Sequence, residues 1–268
     1  MLLAAAIQMS SGPDKGANLS NAERLASEAA ARGATLVVLP EVFSWRGQRE
    51  KEVKSAETIP GPTSERLSRL ARGLKIHLQA GSIIEQIDGD SRCYNTALLF
   101  SPDGEMIARY RKIHLFDVEI PGQVSASESE IRKPGEEVIV ARTTLGTIGL
   151  SVCYDLRFPE LYRRLAIAGA EIVLIPSAFT FPTGAAHWET LVRARAIENQ
   201  VYVIAPDQYG VSPNGYRNYG GSMIVDPWGT VIARASEGES VIVGAIDLEY
   251  LAKVRKEIPC LRHRRLEP

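Results

Sequence analysis

The run Ser151-Val152-Cys153-Tyr154-Asp155-Leu156-Arg157-Phe158-Pro159-Glu160 follows directly on the apolar stretch from Thr147 to Leu150. The Cys153 thiol therefore stands at the carboxyl end of a predicted strand, the end at which open α/β sheets form their sites. Two other segments share that placement. Leu36-Val37-Val38-Leu39-Pro40-Glu41 is an apolar strand with a carboxylate at its end, and in Tyr110-Arg111-Lys112-Ile113-His114-Leu115-Phe116-Asp117 a lysine follows a β-rich run. Taken singly, each residue has an ordinary structural reading: Cys153 as a core thiol, Glu41 as a solvated loop carboxylate, Lys112 as a surface cation.

Taken together they have a chemical one. A free thiol, with a pKa of about 8.5, is only a few per cent thiolate at neutral pH unless a base or a cation acts on it. A carboxylate can accept the thiol proton and later return it as an acid. An ammonium can stabilise the thiolate and the oxyanion that forms when sulfur attacks a carbonyl. The backbone N–H of Tyr154, next after the nucleophile, can supply a second donor to that oxyanion. The chemistry this set could perform is acyl transfer through a thioester.

The elements that must position these groups alternate along the chain. Small and apolar residues at helical spacing (Leu19, Ala22, Leu25, Ala26, Ala29) predict a helix over 18–32. Strands are predicted at 2–7, 35–39, 78–84, 94–100 and 106–111, with Pro102-Asp103-Gly104 as a hairpin turn, and a helix at 63–73. Beyond Cys153 come helix 159–168, strand 171–176, helix 186–199 and strand 201–206. A hairpin through Asp226-Pro227-Trp228-Gly229, a strand at 241–246 and a helix at 248–256 close the pattern. This predicts an α/β protein whose sheets pair both parallel and antiparallel. The stretch 116–135 reads as a long loop, and loops of that length in compact domains are often functional.

The 268 residues are 45% hydrophobic and lack linkers, repeats and low-complexity segments, as expected for a single domain over 1–268. With 31 basic and 32 acidic residues, the chain offers no electrostatic case for nucleic acid or a membrane surface; the Arg262-His263-Arg264-Arg265 cluster reads as a surface or subunit contact. Cys93, Cys153 and Cys260 are odd in number and widely spaced, which fits free thiols in the cytoplasm better than disulfides. Leu2 to Ile7 is too short for a secretion signal, and no apolar stretch is long enough to span a bilayer. A serine-hydrolase elbow, a phosphate-binding glycine loop and zinc-ligand spacing among His77, His114, His187 and His263 are all missing, so no metal or cofactor is expected.

The Glu41, Lys112 and Cys153 segments, in that order, resemble the carbon-nitrogen hydrolases of the nitrilase superfamily, whose triad is Glu-Lys-Cys. The resemblance extends from Ala5-Ala6-Ile7-Gln8-Met9 to Val243-Gly244-Ala245-Ile246-Asp247. It implies a four-layer α-β-β-α sandwich, a second active-site glutamate at Glu128 (with Glu130 close by), and a homodimer that uses the segment Arg193 to Asn199 and the C-terminal residues. Within the superfamily, the stretches His114 to Gly122, Cys153 to Glu160 and Pro176 to Gly184, followed by His187-Trp188, are similar to amidases acting on deaminated glutathione, with ω-amidases acting on α-ketoglutaramate as close relatives. Both substrates carry an α-keto acid. The planar fork of Arg157 suits bidentate binding of a carboxylate, and the resemblance assigns the keto-acid contacts to Arg157 and Thr183. The expected reaction is hydrolysis of deaminated glutathione to 2-oxoglutarate and Cys-Gly. The alternatives are ω-amidase activity, hydrolysis of another small amide or carbamoyl compound, and, from a different class, a catalytically silent metabolite-binding protein.

Overall fold

The computed structural model describes residues 2–266. Two sheets lie face to face, each with a helical layer outside it. In the first, Leu2–Gln8 pairs antiparallel with Ser240–Ile246 and parallel with Leu36–Val38, which in turn runs parallel to His77–Gln79. Cys93–Phe100 then pairs antiparallel with His77–Gln79, Ile83–Gln86 and Met106–Arg111. The second sheet has the order Val231–Arg234, Met223–Val225, Tyr202–Ala205, Ile172–Leu174, Gly146–Leu150, Val140–Thr143, with its three central strands parallel.

The layering follows from the two-residue period of a strand, which sends alternate side chains to opposite faces. Ala4, Ala6, Leu36 and Val38 join Ile148, Leu150, Ile172 and Leu174 of the second sheet in one apolar cluster. Their neighbours Ala5, Ile7, Val37 and Leu39 face outward, against Leu19, Ala22, Leu25 and Ala26 of helix Lys15–Ala31 and Leu67 and Ala71 of helix Pro62–Leu74. On the far side, helices Pro159–Ile167 and Phe181–Asn199 bury Leu161, Leu165, Trp188 and Val192. Each large aliphatic side chain so buried contributes about 1.5–3 kcal/mol relative to exposure. This is the four-layer α-β-β-α arrangement that the resemblance implied.

Three local expectations change. The strand predicted at 78–84 is two, His77–Gln79 and Ile83–Gln86, because Gly81 turns the chain at φ +47. The stretch 116–135 contains a hairpin, Asp117–Ile120 with Val124–Ser127, turning at Gly122 (φ +72) and leading into the 3-10 turn Glu128–Glu130. The helix predicted from 186 begins at Phe181, since a proline in the first turn loses no helical hydrogen bond. Gly184, within this helix, lies against Tyr219, whose Cβ and Cγ would be 2.3 and 2.4 Å from a Cβ there.

Candidate active site

Glu41 and Cys153 each lie just beyond a parallel strand of a different sheet, Leu36–Val38 and Gly146–Leu150. The chain after Ile172–Leu174 joins the two ends: the Glu41 N–H donates to the Ser177 carbonyl (3.3 Å) and the Cys153 N–H to the Pro176 carbonyl (2.9 Å). Gln208 Nε2 also donates to the Glu41 carbonyl at 2.9 Å. Lys112 follows Met106–Arg111 and is fixed by its own N–H to Asn95 O (2.9 Å) and by Gly135 N–H to its carbonyl (2.8 Å).

The backbone at this junction is strained. Cys153 has φ +48 and Val42, next to Glu41, has φ +46. For residues other than glycine, and above all for β-branched valine, the left-handed region costs about 1–3 kcal/mol and persists only where surrounding bonds impose it. Val42 is imposed upon by Ser82, whose Oγ accepts its N–H at 2.9 Å. Cys153 opens a 3-10 turn, Cys153–Arg157, pinned by the fully buried Asp155. One Asp155 oxygen accepts from Tyr110 OH (2.7 Å) and Val152 N–H (2.8 Å), and the other from His114 N–H (3.0 Å) with His114 Nδ1 at 2.7 Å. His114 in turn stacks on Phe158, ring centres 3.6 Å apart.

Glu41, Lys112, Glu128 and Cys153 line a single cavity of about 370 Å³. Lys112 Nζ lies 2.9 Å from Glu41 Oε1 and 3.0 and 3.3 Å from the two Glu128 oxygens. Glu128 also accepts from the Phe116 N–H (2.9 Å) and from Arg132 (2.6 Å). Glu130 points elsewhere, to Arg49 at 2.6 Å. The 3-10 turn thus separates the two glutamates that sequence left side by side.

These contacts set the charges. Burial opposes the Lys112 charge, but Glu128 and Glu41 outweigh it and hold the pKa well above lysine's usual value. Burial likewise opposes the Glu128 charge, while Lys112 and Arg132 bring its pKa down to about 2. Burial pushes the Cys153 thiol well up, Glu41 adding to the shift and Lys112 opposing it. Burial thus favours the neutral form of the Cys153 thiol, against the pull of the Lys112 ammonium.

Of the residues expected to bind substrate, Tyr154 and Thr183 line the cavity, with Thr183 Oγ1 2.9 Å from Thr180 Oγ1. Arg157 does not line it. Its guanidinium lies over the Phe179 and Tyr154 rings at 5.1 and 5.8 Å, with Nη1 3.2 Å from His187 Nδ1. The reason is the turn: with three residues per 3-10 turn, Arg157 falls in line with Tyr154 rather than with Cys153. Sequence reasoning missed Asn95, whose Nδ2 donates to Glu41 Oε1 at 2.8 Å, and Arg132, which bridges Glu128 and Glu52 (2.6 Å each). An asparagine inside the apolar run 93–100 was the available signal for the first; the second had only its four-residue spacing from Glu128. Among the described residues, no group of three or more His, Cys, Asp or Glu side chains could hold a metal ion.

The sequence matches the carbon-nitrogen hydrolase family over residues 3–256. It is 45% identical to the human deaminated glutathione amidase over 268 residues, covering 98% of this chain and 82% of that protein. It is 44% identical to omega-amidase NIT2 of Xenopus tropicalis over 259 residues, covering 97% and 93%. The crystal structure of the C. elegans NitFhit protein superposes with a TM-score of 0.92 at 41% identity, over 98% of this chain and 65% of that one. With a glutamate, a lysine and a cysteine meeting at the ends of two facing sheets, the chain belongs to the carbon-nitrogen hydrolase family and is a hydrolase of amide C–N bonds.

Proposed function

We propose that the protein hydrolyses deaminated glutathione to 2-oxoglutarate and Cys-Gly, with Glu41, Lys112 and Cys153 as the catalytic triad. The observation that carries this reading is their convergence in one cavity: a neutral thiol, a carboxylate bonded to a buried ammonium, and space beside them for a substrate. Glu41 takes the Cys153 proton as sulfur attacks the amide carbon, and Lys112 and the Tyr154 N–H hold the oxyanion. The C–N bond then breaks as Glu41 delivers that proton to the departing nitrogen. Glu41 next deprotonates a water that attacks the thioester, the S–C bond breaks, and the proton returns to sulfur. Glu128 keeps Lys112 charged and in place, with a second task in positioning the water.

Two observations favour deaminated glutathione over α-ketoglutaramate. The human deaminated glutathione amidase is a 45% identical relative, and the cavity has room beyond a five-carbon keto-amide for a dipeptide leaving group. The ω-amidase reading stays as the alternative because omega-amidase NIT2 is nearly as similar. Hydrolysis of both compounds side by side, with Cys153→Ala as the blank, tests this. Preference for deaminated glutathione and a folded, inert variant are expected. Preference for α-ketoglutaramate would make the protein an ω-amidase, and undiminished turnover by Cys153→Ala would rule the mechanism out.

We also read the protein as a cytoplasmic homodimer. Its three cysteines are unpaired, which suits a reducing compartment. Ile197 and Trp228 stand 49% and 54% exposed on and beside helix Phe181–Asn199, an apolar surface suited to a second copy. Light scattering measures the mass, and cell fractionation the compartment.

A further inference from the structure

The mechanism above leaves one cation of the cavity without a task. Arg46, Arg49, Lys112 and Arg132 all line it. Arg49 bonds to Glu130 and the Ser127 carbonyl, Lys112 to Glu41 and Glu128, Arg132 to Glu52 and Glu128. The Arg46 guanidinium has no hydrogen-bond or ion-pair partner among the described residues, although its backbone is firmly set. Arg46 N–H donates to Gly12 O (3.0 Å), Asn18 Nδ2 to Ser44 O (3.0 Å) and Ser11 Oγ to Phe43 O (2.7 Å).

We propose that Arg46 is the carboxylate anchor of the site, binding an acidic group of the substrate and selecting acidic amides over neutral ones. This rests on the reading of the substrate as the amide of a keto acid. Among the described residues no carboxylate is bonded to Arg46. Glu41 Oε1 is taken by Lys112 and Asn95. Asp207 accepts the Phe179 N–H at 2.8 Å on one oxygen and has no hydrogen-bond partner on the other; burial pushes its pKa well above the carboxylate range, with Arg46 opposing the shift. Burial also pushes the Arg46 pKa down, with Glu41 and Asp207 opposing. A carboxylate arriving with the substrate supplies that partner in bidentate form. A backbone fixed before binding lowers the ordering cost.

The test compares wild type, Arg46→Met and Arg46→Lys on α-ketoglutaramate, deaminated glutathione and neutral butyramide. For Arg46→Met, kcat/KM is expected to fall roughly 10- to 100-fold further on the acidic amides than on butyramide, through KM, the range for one charge-assisted contact. Arg46→Lys should keep part of the preference, and it reads the same selectivity should the methionine variant fail to fold. A loss on both keto-amides places the bound carboxylate in the acyl half; a loss on deaminated glutathione alone places it on the leaving group. An equal loss on butyramide would mean that Arg46 acts on the triad and would overturn the proposal, as would no loss at all. Should wild type turn over neither keto-amide, the proposed function fails separately. The anchor is then read from succinamate against butyramide: a wild-type preference for the acid that vanishes in Arg46→Met upholds it, and an absent or persistent preference overturns it.

Discussion

Replacing Asp155 by asparagine preserves size and shape but removes an acceptor the local structure depends on. Each carboxylate oxygen faces a backbone N–H that can only donate: Val152 at 2.8 Å on one side, His114 at 3.0 Å on the other. Whichever way an asparagine is turned, its NH2 meets one of them. In either orientation one amide is left unsatisfied in a fully buried site, costing about 1–3 kcal/mol, and the bonds on the other side lose the charge that strengthened them, roughly 1 kcal/mol more. The sum, about 3 kcal/mol, corresponds to a fall in Tm of roughly 6–12 °C for a protein of this size. The same bonds pin the turn that holds Cys153 at φ +48. Relaxation of that turn moves the sulfur, and displacement by about 1 Å can cost on the order of 100-fold in rate. Urea unfolding and kcat/KM of Asp155→Asn, measured in parallel, check both figures. Stability within about 0.5 kcal/mol of wild type, together with near-normal activity, would refute the argument that Asp155 holds the nucleophile in its strained conformation.

Two further perturbations probe the other walls of the site. Gly81→Ala puts a Cβ 1.9 Å from the Pro40 carbonyl oxygen at a residue with φ +47, so the backbone before Glu41 must shift; a loss of at least about 2 kcal/mol and a fall in kcat are expected, and a variant equal to wild type by melting and turnover would contradict this. Glu128→Gln tests the depressed carboxylate. A folded-state pKa of about 2, below the 4.5 of an ordinary glutamate, means that the charge of Glu128 stabilises the fold above pH 4.5 and that this stabilisation is lost as pH falls toward 2. The variant should therefore be less stable than wild type at neutral pH, with a gap that narrows from about pH 4.5 downward; a gap that stays constant between pH 6 and 3 counts against the assignment.

The sequence by itself determined the elements and three members of the site. The continuous apolar runs in Leu2–Gln8 and Leu36–Val38 mark strands buried on both faces, and the helical spacing in Lys15–Ala31 records which face of that helix is buried, because burial acts on side chains at fixed local periods. Glu41, Lys112 and Cys153 were legible because each follows directly on a strand. Tertiary structure decided the rest, through contacts between residues distant in the chain. Asn95 meets Glu41 only because Cys93–Phe100 lies in the same sheet as Leu36–Val38. Glu128 rather than Glu130 faces Lys112 because a 3-10 turn divides them. Arg157 turns to His187 since three residues complete its 3-10 turn. Arg46, in a stretch with no periodicity, acquires meaning only where the cavity wall leaves it without a partner. Local periodicity records burial, whereas charge pairing at the strand ends depends on which loops meet there, and no local pattern encodes that.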